Sequence, residues 1–141
     1  MVTTCSEGVD RMENANTIAT RKAYEAFAAA DLDGIRQFLD PNIVWHQGGH
    51  DALSGEYQGV DEVLGLFMKE FELTDGNVTA SLVDVYATDT RTIAVEHFVA
   101  RRNGKTLEQT FPIVFNGTNG VAQEAWALSY GDDDETAEFW S

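Results

Sequence analysis

The sequence predicts an α+β domain: a cone-shaped α+β barrel in which three helices of the N-terminal half pack on a curved, mostly antiparallel sheet enclosing a pocket. Two observations lead there. Up to residue 73 the apolar residues recur mainly at helical spacing, and from residue 78 they alternate. The alternating half is punctuated by Asn103-Gly104 and by "NGTNG", both hairpin signals, so its strands form an antiparallel meander. Helices followed by a run of strands define the α+β class.

Residues 1–13 are polar and unpatterned and read as a loose tail, leaving 14–141 as one domain. From Asn16 to Ala30, Ala19, Ala23, Ala26, Phe27 and Ala30 form one helical stripe with Tyr24 at its edge. Asp31 caps a second helix, "DLDGIRQFL", ended by Asp40-Pro41. "NIVWHQ" is a first strand, and "GGHDALSGEYQG" is a glycine-rich loop with room for a short strand. A third helix runs from Val60 to Leu73, buried through Val60, Val63, Leu64, Phe67 and Phe71, and stops at Asp75-Gly76. "VTASLVDVYA", "RTIAVEHFVARR", "KTLEQTFPIVF" and "VAQEAWALSY" are strands, and "GDDDETAEFWS" closes the chain as a short helix with Phe139 and Trp140 packed down.

Composition narrows the function. The 141 residues suffice to bury roughly 68–70% of the unfolded surface, enough for a core and an internal pocket. A net charge of −15 excludes the basic surface that nucleic-acid binding needs and disfavours an anionic membrane. The single cysteine, Cys5, allows no intrachain disulfide. No stretch of 18 apolar residues occurs, and the N-terminus lacks a basic start with an apolar run, so a cytoplasmic protein is expected.

The stretches "AYEAFAAADLDGIRQFL-DPNIVWH", "LSGEYQG-VDEVLGLF" and "ARRNGKTLEQ…VFNGTNGVAQEAW…FW" resemble the SnoaL-like, ketosteroid-isomerase-like branch of the nuclear transport factor 2-like superfamily, from about residue 16 to 141. That superfamily spans isomerases, polyketide cyclases, epoxide hydrolases, dehydratases and non-catalytic members, so the fold does not settle the function. Its steroid isomerases keep a carboxylate base at the end of the first strand, where this chain has His46. They keep an oxyanion-hole tyrosine on the first helix, where it has Ala23, with Tyr24 one residue and about 100° away. Their protonated aspartate corresponds to Phe111. Steroid isomerisation is therefore not expected, for want of a donor to an enolate oxygen. The epoxide hydrolases' Asp-Arg-Asp set is absent as well, since Arg101 and Arg102 fall at a hairpin tip.

The candidate proton-transfer residues are His46, His97 and Glu124. His46 is directed into the cavity by the resemblance, and histidine titrates near neutrality; the plainer reading is a pocket-lining histidine bonded to a loop carbonyl. His97 alternates with Ile93, Val95 and Val99, which points it inward; the plainer reading is a satisfied core histidine. Glu124 shares a face with Trp126, Leu128 and Tyr130. Turned inward as the resemblance implies, it needs a partner, His46 or His97; otherwise it reaches solvent at a sheet edge. A metal site on His46, His50 and Asp51, with or without His97, is weakly supported because two glycines leave the geometry of His46 and His50 unconstrained. No metal and no cofactor is expected.

Phe67, Phe111, Phe115 and Trp126 fall on faces the resemblance sends inward, with Tyr57 at the mouth. They suit a small hydrophobic ligand, although aromatic stripes are by default core. One conflict stays open. Counting outward from Asn103-Gly104 pairs His97 with Thr110 and puts Phe111 on the opposite face, whereas the resemblance puts both inside. A bulge between Lys105 and Thr110 reconciles them. Without it, Phe98, Phe111, Ile113 and Phe115 make an apolar outer face. Either way a homodimer through the sheet is expected. The functional expectation is cofactor-independent isomerisation, cyclisation or dehydration of a small hydrophobic carbonyl compound, or else a non-catalytic binding or structural role.

Overall fold

The computed structural model describes residues 14–128 and 133–141. The expected tail, Cys5 and Tyr130 lie outside the described residues. The elements are α1 (Ala15–Ala28), α2 (Leu32–Arg36), β1 (Leu39–Gln47), β2 (Gly55–Gln58), α3 (Val60–Leu73), β3 (Val78–Ala87), β4 (Arg91–Arg102), β5 (Lys105–Thr118), β6 (Val121–Ala127) and α4 (Asp133–Trp140). The strands form one six-stranded sheet in the order β2-β1-β6-β5-β4-β3, antiparallel except where β1 runs parallel to β6. The helices pack on this α+β sheet, α1 against β3 and α3 against β1 and β2.

Helix α1 starts at Asn14, whose side chain accepts a hydrogen bond from the Asn16 amide at 2.7 Å. It ends before Ala30, which is exposed at φ 53° and so outside the expected helix. Its buried first turns are polar. Asn16 donates to the carbonyls of Thr88 and Gly117 and accepts from the Gly120 amide, fastening the helix to two sheet turns. Gly117 is required there because a Cβ would stand 2.0 Å from the Val121 carbonyl oxygen, where the β5–β6 register shifts. Asp31 caps α2 by accepting from the Gly34 amide at 3.0 Å. That helix stops at Arg36, short of the expected Leu39, because Leu39 already pairs with Ala122 as strand. Helix α3 has the expected bounds.

The β4–β5 hairpin settles the register. Asn103 and Gly104 take φ of 52° and 75°, as a two-residue turn of this type demands. From there the ladder runs unbroken, with His97 opposite Thr110, Glu96 opposite Phe111 and Val95 opposite Pro112. No bulge intervenes between Lys105 and Thr110. Opposed residues share a face. Thr92, Ala94, Glu96, Phe98 and Ala100 are buried, so this is the inner face of β4. Ile93, Val95, His97 and Val99 lie on the outer face. The inward expectation for His97 is therefore corrected. Its β-branched neighbours suggested burial, but the apolar period exists on both faces, and the small residues Ala94 and Ala100 mark the side that meets the core. Phe98, Phe111, Ile113 and Phe115 are correspondingly on the inner face, not on an apolar outer one.

The same logic applies at the other end of the sheet. Trp45, 5% exposed, points into the core, and His46 points out. His46 pairs with Trp126, which pairs with Val114, which pairs with Ile93 and then Tyr86. One outer row thus crosses five strands.

Candidate functional site

Between the helices and the inner sheet face lies a cavity of about 120 Å³. Strand β5 supplies Phe111, Ile113 and Phe115, and β1 supplies Trp45. Helix α1 supplies Phe27 and Tyr24, α3 supplies Phe67 and Glu70, and β4 supplies Glu96 and Phe98. Trp45 stacks edge-on against Phe67 at 5.3 Å and Phe115 at 5.9 Å, which fixes the walls.

Among the polar groups in this lining, Tyr24, Glu96 and Glu70 are the ones whose proton affinity is raised. The Tyr24 hydroxyl donates to Glu96 Oε1 at 2.6 Å, a short charge-assisted geometry. Burial pushes the Glu96 carboxyl up to about 7, partly offset by the Tyr24 hydrogen bond. Burial, then the charge of Glu96 and its hydrogen bond, raise the Tyr24 phenol well above its usual value. Glu70 is only 8% exposed. Burial, then the charges of Glu96 and Asp51, raise its carboxyl well above the ordinary carboxylate range. Near neutral pH the cavity therefore holds a Glu96 poised between its two protonation states, beside a Glu70 carboxyl whose proton affinity is also raised.

The expected site residues divide. Phe67, Phe111 and Phe115 line the cavity. Tyr57 does not line it; its hydroxyl donates to the Leu53 carbonyl at 2.6 Å, which holds the loop after β1. His46, His97, Glu124 and Trp126 lie outside the cavity, on the outer face. His46 and Glu124 do come together, with Nε2 2.8 Å from Oε2, while Nδ1 lies 3.4 Å from Glu56 and the ring stacks on Trp126 at 5.4 Å. His97 is apart from them, 2.9 Å from Glu108 and 3.3 Å from the Thr110 hydroxyl. His50 turns to Asp134, so it does not converge with His46.

Sequence reasoning missed Glu70 and Glu96 and set Tyr24 aside, although signals were present. Glu70 continues the stripe Val63, Leu66, Phe67 at helical spacing. Glu96 alternates with Ala94, Phe98 and Ala100, and the unbulged count from Asn103-Gly104 places it opposite Phe111. Tyr24 follows the buried Thr20 by four residues, on the same helix face.

Residues 20–124 match the model of the SnoaL-like domain. An uncharacterized protein of Mycobacterium tuberculosis (strain ATCC 25618 / H37Rv) is 32% identical over 130 residues, covering 92% of this chain and 98% of its own. The structure of Bal32a, from a soil-derived mobile gene cassette, superposes with a TM-score of 0.84 at 28% identity, over 90% of this chain and 97% of that one. A Mycobacterium tuberculosis protein in complex with estradiol-17β-hemisuccinate shares the fold, with a TM-score of 0.71 at 13% identity over 87% and 98% of the two chains. The matching domain model makes this chain a member of the SnoaL-like domain family, and its helix-on-sheet architecture is the nuclear transport factor 2-like fold.

Proposed function

We propose that this protein performs cofactor-independent acid/base chemistry (isomerisation, cyclisation or dehydration) on a small, mostly apolar compound, with Glu96 as the proton-transfer group. The observation that carries this reading is one carboxyl, buried, hydrogen-bonded to Tyr24 and held at about 7, on the wall of an aromatic cavity. A group titrating near working pH can both take and return a proton. Tyr24 orients Glu96, and Glu70, whose burial favours the protonated form, donates to an oxygen that gains charge. Phe67, Phe111 and Phe115 form the apolar wall. A protein that shares this fold is found in complex with estradiol-17β-hemisuccinate, which is in keeping with a ligand of that character.

The test uses cyclohexanone, a ring-sized ketone, in D2O, with exchange of its α-protons followed by NMR. Catalysed exchange should rise with pH through about 7 as Glu96 ionises. Glu96→Gln should lower it by about 10². Tyr24→Phe, which removes the hydrogen bond that lowers the Glu96 pKa, should shift the midpoint to higher pH. Exchange no faster than buffer alone, or unaffected by Glu96→Gln, would remove the reading.

A second reading concerns the outer face. Ile93 is 37% and Tyr86 60% exposed, in one row with Trp126 and the His46–Glu124 pair. An apolar row of this kind suits an isologous contact with a second copy of the chain. Sedimentation velocity should give twice the chain mass, and Val95→Asp should halve it. A monomer at micromolar concentration would refute the dimer.

A further inference from the structure

Among the described residues the cavity is lined by acidic side chains and by no basic one. Tyr24, Asp51, Glu70 and Glu96 reach it from α1, the loop after β1, α3 and β4, and none of its lining residues is Lys, Arg or His. Tyr57 on β2 adds a phenol close enough to feel Asp51 and Glu70. Glu96 has Tyr24 as its partner. Glu70 makes no side-chain hydrogen bond to a described residue; it is 8% exposed and lines the cavity, and since no sealed side-chain oxygen among the described residues lacks a partner, its carboxyl opens onto that cavity. A ligand in the cavity therefore meets this carboxyl directly, and a carboxyl so enclosed favours an occupant that hydrogen-bonds it.

We infer that the occupant is a small organic ammonium, a single-ring amine whose nitrogen is held by Glu70 and Glu96 and whose ring lies against Trp45, Phe67 and Phe115. This rests on the cavity's being a small-molecule site, and it names the class of molecule. Aromatic faces attract an ammonium as well as the hydrocarbon attached to it. The size limits the occupant to one ring, since an apolar cavity of ~150 Å³ holds benzene and this one, about 120 Å³, is of the same order. A metal ion fits less well, because no three His, Cys, Asp or Glu side chains among the described residues are grouped to hold one. An anionic ligand would face four acidic side chains with no Lys, Arg or His among the described lining residues to offset them.

The inference has a pH signature. Without a ligand, burial holds Glu70 well above its usual range and Glu96 at about 7. An ammonium favours the charged carboxylate, so its binding expels a proton and tightens as pH rises. A neutral alcohol or ketone held by a protonated carboxyl binds with the opposite dependence.

Isothermal titration of the full chain with benzylamine, benzyl alcohol and benzoate at pH 6 and pH 8 tests this. Benzylamine should bind at least about tenfold more tightly than benzyl alcohol at pH 8. Its affinity should rise about tenfold from pH 6 to pH 8, with proton release visible as a buffer-dependent heat. Glu70→Gln, checked for native circular dichroism, should lose at least tenfold in benzylamine affinity and leave benzyl alcohol within about twofold. Glu96→Gln should remove most of the pH dependence. The inference is overturned if benzyl alcohol binds as tightly as benzylamine, if benzylamine affinity is flat or falls with pH, if folded Glu70→Gln keeps it, or if none of the three binds. Benzyl alcohol binding that weakens with pH would overturn the amine and leave the proton-transfer reading standing. Amine binding with no ketone exchange would do the reverse.

Discussion

The two faces of the sheet carry similar residues in opposite circumstances. On the inner face Glu96 sits among Ala94, Phe98 and Phe111 with a phenol as its partner. On the outer face Glu124 and Glu108 each meet a histidine, at 2.8 and 2.9 Å, with side chains 40% and 61% exposed. Each outer carboxylate has water and an imidazole beside it. The inner one has neither, and its proton affinity rises until it titrates near neutrality. The chemistry that a carboxyl can perform is thus set by the face of the strand on which it falls. That face is set by the parity of its distance from a two-residue turn.

The largest difference between the faces should be in packing. Phe115 is 5% exposed and wedged against Phe38 at 5.1 Å and Trp45 at 5.9 Å. Phe115→Ala should cost about 3 kcal/mol, the low end for a buried aromatic because the void merges with an existing cavity. Urea unfolding measures this. A loss below about 1 kcal/mol would mean that the inner aromatics are not the core.

Next comes the pH dependence of stability. The folded-state pKa of Glu96 is raised from 4.5 to about 7, so the folded state binds more protons than the unfolded one between those values. Its contribution to stability is fully present below about 4.5 and is lost as pH rises through 7. The shift is worth about 3 kcal/mol at full ionisation. Glu70 acts in the same direction. Glu96→Gln, which cannot ionise, should flatten the decline between pH 5 and pH 8 and be the more stable protein at pH 8. Parallel stability curves for the two proteins would show that Glu96 is solvated.

Much of this was legible in the sequence. The class, the bounds of α3 and the Asn103-Gly104 turn follow from periodicity and turn chemistry, which act locally. What failed was the choice of face for β1 and β4. Both faces of a strand in a sheet with a half-buried outer side carry apolar residues, so alternation alone is ambiguous. Ile93 and Val95 read as core while Ala94 and Ala100 were the core. Residue-by-residue transfer from a resemblance compounds this, since one residue of slippage exchanges Trp45 for His46 and Ala23 for Tyr24. Asn16 was illegible for another reason. Its three partners come from turns 72 to 104 residues away, and no local pattern announces them.

The smallest effect belongs to the residue next to Glu96. His97 lies on the outer face, its side chain 38% exposed, with Glu108 and Thr110 as partners. An exposed pair of this kind gains modest Coulomb energy and loses side-chain freedom in return. His97→Ala should therefore change stability by no more than about 0.5 kcal/mol and leave ketone exchange at the wild-type rate. Equal stability curves beside the altered curve of Glu96→Gln would separate two consecutive residues by face alone. If His97→Ala instead abolished exchange while the protein stayed folded, the outer face would be the reactive one. The histidine that its neighbours in the sequence marked as inward would then be acting from the opposite side of the sheet.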